Sequence, residues 1–201
     1  MKILIIVSSH RVESNSLRVA QRFQEVATKL SKAGAEILDL RTENIPIWSE
    51  DMYQPQSEEY SQWESISTRV LNAEAFVLIA PEYSGMASPM LMNFLMKCSG
   101  AETGHKPALL VGLSSGLGGT YPLAQMRQFG SKNNFLCFVP FGIIVRNAND
   151  MLHDTKPLNE EDQALMDRME YGLKLLVGYG TALSHMRSSI GLDFNRYIYG
   201  V

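Results

Sequence analysis

Short aliphatic runs alternate with segments of helical periodicity along this chain, and no other feature of the sequence constrains its fold as strongly. Residues 3–7 are five consecutive aliphatic residues, which is typical of a strand buried on both faces of a parallel sheet. Further strands are predicted at 36–40, 75–80, 107–113 and 135–139. Pro81 and Pro140 are predicted to end the third and the fifth of them, because proline cannot donate to a strand ladder.

Helical segments separate these runs. Leu17, Phe23 and Leu30 belong to a stripe of apolar residues at steps of three and four, which predicts the first helix. Asn159 precedes three acidic residues and is predicted to cap the last helix, where both the amide and the acids suit the helix N-terminus. Other helices are predicted around 63–70, 90–97 and 123–129. This alternation predicts an α/β domain, with a five-stranded parallel sheet covered by helices on both faces.

Composition narrows the functional classes. The 201 residues include 18 basic and 21 acidic side chains, a balance that argues against nucleic-acid binding through bulk positive charge. No apolar run is long enough for a membrane span, and the apolar start is too short for a signal peptide. Cys98 and Cys137 are far apart in apolar surroundings and are expected to be reduced, buried thiols of a cytoplasmic protein. The four histidines lack a metal-ligand spacing, so no metal site is predicted.

Polar residues follow the first predicted strand directly. Residues 8–16 contain four serines, Arg11 and the start of the first helix. Hydroxyls, a guanidinium and free helix N–H groups are the donors that a phosphate needs. The simpler interpretation, in which Ser14 or Asn15 only caps the helix, accounts for one hydroxyl but not for the cluster. The sequence therefore predicts a phosphate site here.

Two glycine-containing loops follow the third and fourth strands. Residues 81–89 place Tyr83 close to Gly85, and residues 114–121 hold three glycines in four positions. Glycine lets the main chain pass close to a flat ligand, although an ordinary turn is the simpler interpretation of each loop alone. Because ligands bind beyond the carboxyl ends of parallel strands, we expect the three loops to border one site. The connection at 142–158 is long enough to be a functional loop.

Together the three loops resemble the motifs of the NADPH-dependent FMN reductase family, which includes quinone, azo-dye and chromate reductases. The first family loop, Gly-Ser-x-Arg-x-x-Ser-x-Asn, corresponds to residues 8–16, with serines at 8 and 16 in place of glycine and asparagine. The second, Pro-Glu-Tyr-Asn-Gly, corresponds to residues 81–85, with Ser84 in place of asparagine. A third loop of the Ser-Gly-x-x-Gly-Gly type corresponds to residues 115–119, and Asn93 matches a family asparagine. The similarity covers roughly residues 1–140.

The resemblance implies a flavodoxin-like three-layer sandwich that binds FMN. The first loop would hold the phosphate, the second would run along the isoalloxazine ring and the third would face the other edge of the ring. The cofactor-binding residues that it implies are Ser9, Arg11, Ser14, Ser16, Pro81, Glu82, Tyr83, Ser84, Gly85, Ser115, Gly116, Gly118 and Gly119. The expected domain spans 1–187, followed by a C-terminal tail at 188–201 that is rich in aromatic residues (Phe194, Tyr197 and Tyr199).

The resemblance also implies the reaction. NADPH or NADH would give a hydride to the flavin, and a small-molecule acceptor would then take its place. Quinones, azo compounds, metal oxyanions and free flavin are all candidate acceptors. No side chain is implied as a nucleophile, since the flavin carries the chemistry. A homodimer or homotetramer is expected.

Two other functions stay open at this point. Residues 112–116 fit the nucleophile elbow of a serine hydrolase, with Ser114 as nucleophile. Asp150 or Asp154, followed by His153 or His185, would complete the order Ser…Asp…His, but this interpretation leaves the Arg11 loop unexplained. A non-enzymatic flavodoxin-like electron carrier would bind the same cofactor, although such carriers tend to be strongly acidic and the net charge here is only −3.

Overall fold

The computed structural model describes residues 1–197, and its centre is a parallel sheet of five strands. These are β1 (Ile3–Val7), β2 (Ala35–Asp39), β3 (Ala75–Tyr83), β5 (Pro107–Leu113) and β6 (Cys137–Val145), in the spatial order β2-β1-β3-β5-β6. A two-residue β4 (Met86–Ala87) pairs antiparallel with the end of β3. The order is that of a doubly wound, flavodoxin-like sheet, which confirms the predicted fold class.

Helices cover both faces of the sheet. Helices α1 (Asn15–Leu30) and α6 (Glu160–Ser189) pack on one face, and α2 (Glu58–Asn72), α3 (Pro89–Lys97) and α5 (Thr120–Phe129) pack on the other. Successive strand residues point to opposite faces, so Ile3 and Ile5 join the first cluster while Leu4 and Ile6 join the second. Asn159 caps α6 as predicted, with its side chain accepting from Asp162 N at 2.8 Å. A one-turn α4 (Gly100–Thr103) and a 3-10 turn (Glu50–Tyr53) were not predicted.

The prediction that Pro81 ends the third strand is wrong. Strand β3 continues to Tyr83, and Pro81 is in register with Leu113 of β5. The last residue pair between β1 and β3 is Val7 with Ile79, so β1 no longer flanks β3 where the proline stands. Proline is tolerated where one side of a strand has no partner.

The prediction that the last strand spans 135–139 is wrong at both ends. Phe135 has a positive φ of 56°, so the strand begins two residues later, at Cys137. It also continues past Pro140 to Val145, which shortens the connection predicted at 142–158. The register shifts between Ala108 and Leu110 opposite this region, and Pro140 is exposed. An edge strand with an irregular register accommodates a proline that a central strand would not.

The aromatic tail packs on the body of the domain as far as the structure describes it. Phe194 stacks on His105, with ring centroids 5.8 Å apart, and contacts Phe135 at 5.3 Å. A Cβ atom on Gly100 or Gly104 would lie within 3 Å of the Phe194 ring, so both positions need glycine for this contact. Tyr199, which the prediction of an aromatic tail also named, lies outside the described residues.

The two cysteines are both free thiols. Cys98 is buried and Cys137 is half-buried, so the expectation of burial holds fully only for Cys98. Burial raises the pKa of the Cys98 thiol well above its ordinary value, because the thiolate would lose its hydration.

A tight hairpin joins β3 to β4. Its two central residues, Ser84 and Gly85, have φ angles of 51° and 75°. Positive φ at both positions is the geometry of a type I′ turn, for which Asn-Gly is the preferred pair. Ser84 is exposed and occupies the position that asparagine fills in the family motif. Asparagine tolerates the left-handed region better than serine does.

We therefore expect Ser84→Asn to stabilise the protein by about 0.5 kcal/mol, as better turn chemistry commonly does. Ser84→Val is the matched control and should destabilise it, because a β-branched side chain is strained at positive φ. Urea denaturation of the three proteins measures both effects. Equal midpoints for the asparagine and valine variants would contradict the turn geometry.

Candidate active site

A cleft opens at the carboxyl ends of β1, β3 and β5. All three predicted loops contribute to it, as does the start of α1. The lining residues are Ser9, Arg11, Glu13, Asn15, Ser16, Pro81, Glu82, Tyr83, Leu113, Ser114 and Ser115. The remaining residues of the predicted set lie in the same loops but outside this lining: Ser14, Ser84, Gly85, Gly116, Gly118 and Gly119.

The first loop places an exposed cation beside buried hydroxyls. Ser9 is 3% exposed, and its Oγ accepts from Arg11 N at 3.3 Å. Ser16 is 1% exposed and lines the cleft near the start of α1. The Arg11 side chain is exposed at the mouth of the same cleft. These groups and the N-terminus of α1 form a donor set for an anion.

Ser14 caps α1. Its Oγ accepts from Ser16 N at 3.1 Å and from Leu17 N at 3.4 Å, so the simpler interpretation of this residue describes its contacts in the structure. A direct phosphate contact by Ser14 stays a prediction. The capping bonds nevertheless hold Ser16 in place, since they fix the first turn of the helix that carries it.

The second loop is bound to the first through Tyr83. The hydroxyl of Tyr83 lies 3.0 Å from Ser9 Oγ and accepts from His10 N at 3.3 Å. The His10 and Tyr83 rings meet edge to face, with centroids 5.7 Å apart. The phenol therefore spans the gap between the ends of β1 and β3.

The second loop is bound to the third through Glu82. The carboxylate of Glu82 accepts from Gly119 N at 2.6 Å, at the N-terminus of α5, where the helix dipole favours a negative charge. A Cβ atom on Gly118 would come within 2.7 Å of Glu82 Oε1. Gly119 has a φ of 97°, and a Cβ atom on Gly112 would lie 1.9 Å from its carbonyl oxygen. The glycines of the third loop thus serve close packing, whereas a Cβ on Gly116 would meet nothing within 4 Å.

Sequence reasoning missed several cleft residues. Glu13, Asn15 and Leu113 line the cleft, although none was singled out for it. Glu13 and Asn15 lie within the first motif and Leu113 directly precedes the third loop, and this position in the sequence is the signal that could have found them. Asn93 lies elsewhere: its side chain accepts from Trp48 N at 2.8 Å and donates to Pro46 O at 2.9 Å, so it holds the segment after β2 against α3.

The hydrolase interpretation is not supported by the geometry. Ser114 lines the cleft, but its Oγ accepts a hydrogen bond from Gly116 N at 3.2 Å. His153 contacts Asn149 O, and Asp154 accepts from Thr155 N. His185 lies near Met1, at the opposite end of the sheet. Within residues 1–197 we find no Ser-His-Asp arrangement around Ser114.

The cleft has the chemistry that FMN requires. Its first-loop end offers a guanidinium, hydroxyls and a helix N-terminus, which suit a phosphate. Its other end offers the flat surfaces of Pro81 and Tyr83, together with the open space beside Gly116. None of the helices within residues 1–197 has the length and the apolar run that a bilayer crossing would need.

Comparison with known proteins agrees with this geometry. Residues 1–150 match the model of the family described as NADPH-dependent FMN reductase. The FMN-dependent NADPH-azoreductase of Staphylococcus saprophyticus is 31% identical over 132 residues, which cover 63% of this chain and 68% of that protein.

Solved structures agree on the fold. The flavoenzyme NAD(P)H:(acceptor) oxidoreductase FerB from Paracoccus denitrificans superposes with a TM-score of 0.71 at 18% identity, over 89% of this chain and 98% of that one. An azoreductase from Bacillus anthracis gives a TM-score of 0.56 at 14% identity, over 87% of this chain and 98% of that one. The family match covers the sheet and all three loops of the cleft. This chain therefore belongs to the NADPH-dependent FMN reductase family, as an oxidoreductase with FMN as its cofactor and NAD(P)H as its co-substrate.

Proposed function

We propose that the cleft at the ends of β1, β3 and β5 holds FMN and that the enzyme passes electrons from NADPH or NADH to a small-molecule acceptor. The observation that carries the proposal is the convergence of the three loops on one cleft, with an arginine and hydroxyls at one end and flat surfaces at the other. Quinones, azo compounds, metal oxyanions and free flavin are the candidate acceptors. The azoreductase relative favours azo compounds among them.

The first loop binds the phosphate in this proposal. Arg11 supplies the positive charge, Ser9 and Ser16 supply hydroxyl donors, and Ser14 keeps the first turn of α1 in place. Because Ser9 and Ser16 are nearly fully buried, their positions are fixed before the ligand arrives. A preorganised donor set loses little side-chain entropy on binding.

The second and third loops bind the ring in this proposal. Residues 81–85 run along one edge of the isoalloxazine, and Ser115, Gly116, Gly118 and Gly119 face the other. When bound, FMN supplies the redox chemistry, since it accepts a hydride from a nicotinamide and passes the electrons on. The role of Glu82 is to hold the third loop against the second, through its hydrogen bond to Gly119 N.

Exposed apolar side chains flank the cleft. Met86, Leu117 and Tyr121 belong to β4, the third loop and the start of α5, and each is more than half exposed. Apolar groups that cluster at the surface commonly mark a contact region. They support the prediction of a homodimer or homotetramer and offer a surface for a planar acceptor. Cytoplasmic location stays a prediction.

Removal of the Arg11 charge should weaken the binding of FMN but not the binding of riboflavin. We expect Arg11→Ala to raise the Kd of FMN about 10- to 100-fold, since a hydrogen bond to a charged group contributes about 1.5–3 kcal/mol. Riboflavin lacks the phosphate, so its Kd should change less than twofold. Quenching of flavin fluorescence measures both constants, and Lys32→Ala, an exposed cation past the C-terminal end of α1, is the control. If Arg11→Ala raised the Kd of both flavins equally, the assignment of Arg11 to the phosphate would be wrong.

Steady-state kinetics test the reaction itself. We expect the FMN-loaded enzyme to oxidise one equivalent of NADPH without an acceptor and to turn over continuously only when an acceptor is present. Double-reciprocal plots should be parallel, because nicotinamide and acceptor use the same exposed face in turn. Oxidation is followed at 340 nm without oxygen, with a quinone, an azo dye, chromate and free FMN compared side by side. The proposed function would be contradicted if the FMN-loaded protein failed to turn over NADPH with every one of these acceptors.

A further inference from the structure

The segment that follows β6 is bound to the third loop of the cleft. We call residues 146–152 the strap. Asn147 N donates to Gly116 O at 2.9 Å, and Ala148 N donates to Ser114 O at 3.0 Å. Arg146 Nε donates to Leu117 O at 2.8 Å. The strap therefore ties down three carbonyl groups of the loop that is proposed to face the flavin ring.

The same strap is bound to the start of α1. Asn15 Nδ2 donates to Asn149 Oδ1 at 2.7 Å, and Asn15 itself lines the cleft. Arg18, one turn further along the helix, donates to the carbonyl oxygens of Ala148 and Met151, and to Asn15 Oδ1 at 3.0 Å. The planar guanidinium suits this role, because it carries five donors in a fixed geometry. The strap thus reaches the phosphate end of the cleft.

Helix α6 fixes the far side of the strap. The carboxylate of Asp162 is fully buried and accepts from Leu152 N at 2.8 Å and from Leu158 N at 3.1 Å. Asn147 and Leu152 both have positive φ, with angles of 46° and 58°. Asparagine tolerates this conformation, but for leucine it is unfavourable and persists only where the surroundings determine it. The strap is therefore a rigid connection rather than a loose one.

The surroundings of Arg18 act on its charge in opposite directions. Burial and the neighbouring Arg22 lower the pKa of Arg18 from its ordinary value, while Asp162 raises it. The guanidinium stays protonated in proteins, so all of its donors are available.

The strap completes a circuit of contacts around the cleft. The first loop meets the second through Ser9 and Tyr83, and the second meets the third through Glu82 and Gly119. The third loop returns to the first through the strap, Asn15 and Arg18.

We propose that the strap sets the spacing between the phosphate end and the ring end of the cleft, with Arg18 as its positioning residue. The inference rests on the proposed FMN site. A ligand bound at both ends gains affinity only if the two ends stand at the distance that the ligand spans. Loss of that spacing removes the joint advantage, while each end keeps its own affinity for the part of the ligand that it binds.

Arg18→Met tests this spacing role directly. Methionine is unbranched and suits a helix, but it cannot donate to the two strap carbonyls. We expect the Kd of FMN to rise about tenfold. The Kd of riboflavin, which binds only the ring end, and the inhibition constant of inorganic phosphate against FMN should each change less than twofold. Arg11→Ala should instead weaken phosphate, which separates spacing from direct contact.

Arg22→Met is the matched control. Arg22 stands one turn further along α1 and pairs with Glu25. Its loss should leave all three constants within twofold of the wild type. Asn149→Ala, which removes only the bond to Asn15, is a milder second variant and should raise the FMN Kd about threefold. The spacing role would be overturned if Arg18→Met weakened the binding of riboflavin or of phosphate, or if it left the Kd of FMN unchanged.

Amide hydrogen exchange of the ligand-free protein tests the strap independently of flavin. We expect Arg18→Met to speed exchange at Asn147 and Ala148 by tenfold or more, with exchange at the buried residues of β3 unchanged. If the wild type binds no FMN, the proposed function fails and the exchange result alone decides whether Arg18 holds the strap. Unchanged exchange at Asn147 and Ala148 would overturn that role.

Discussion

The parallel register of β1, β3 and β5 is the constraint on which the rest of the molecule depends. Val7 pairs with Ile79, and Pro81 pairs with Leu113, so the residues that follow these strands emerge at one edge of the sheet. Burial of aliphatic side chains on both faces fixes this register, because a slip by one residue would exchange the two faces of a strand. The cleft is therefore a consequence of the packing on both sides of the sheet. Its loops need only supply the chemistry.

Much of the fold could be predicted because its determinants are local. The aliphatic run at 3–7 by itself favours a buried strand. Asn159 caps α6 through a hydrogen bond to Asp162 N, only three residues further along the chain. Pro81 and Pro140 misled the prediction because their tolerance depends on distant partners. Pro81 follows the last pair with β1, and Pro140 lies in an edge strand with a shifted register. Neither circumstance is visible in a window of sequence.

In the candidate site, too, the features set by local sequence could be predicted and those set by distant contacts could not. The meeting of the three loops at one edge of the sheet could be predicted, since the motifs lie at the carboxyl ends of β1, β3 and β5, although Pro81 to Tyr83 belong to β3 itself. The contacts that join the loops could not be predicted, because Glu82 meets Gly119 and Arg18 meets Ala148 across long stretches of chain. Ser14 shows that a motif alone does not fix the role of a residue. Its hydroxyl fits a phosphate motif, but in the structure it caps α1. A motif supplies candidate donors, and the packing decides which of them face the ligand.

A crystal structure of the protein grown with FMN tests the central claim most directly. The account predicts the phosphate within hydrogen-bond distance of Arg11 and Ser16, with the ring between Tyr83 and Ser115. A flavin found elsewhere would contradict it. The groove lined by Trp48, Met92 and Lys132 is one such place, and its aromatic and apolar walls could accept a flat ring. A phosphate turned away from Arg11 within the right cleft would contradict the assignment of the first loop.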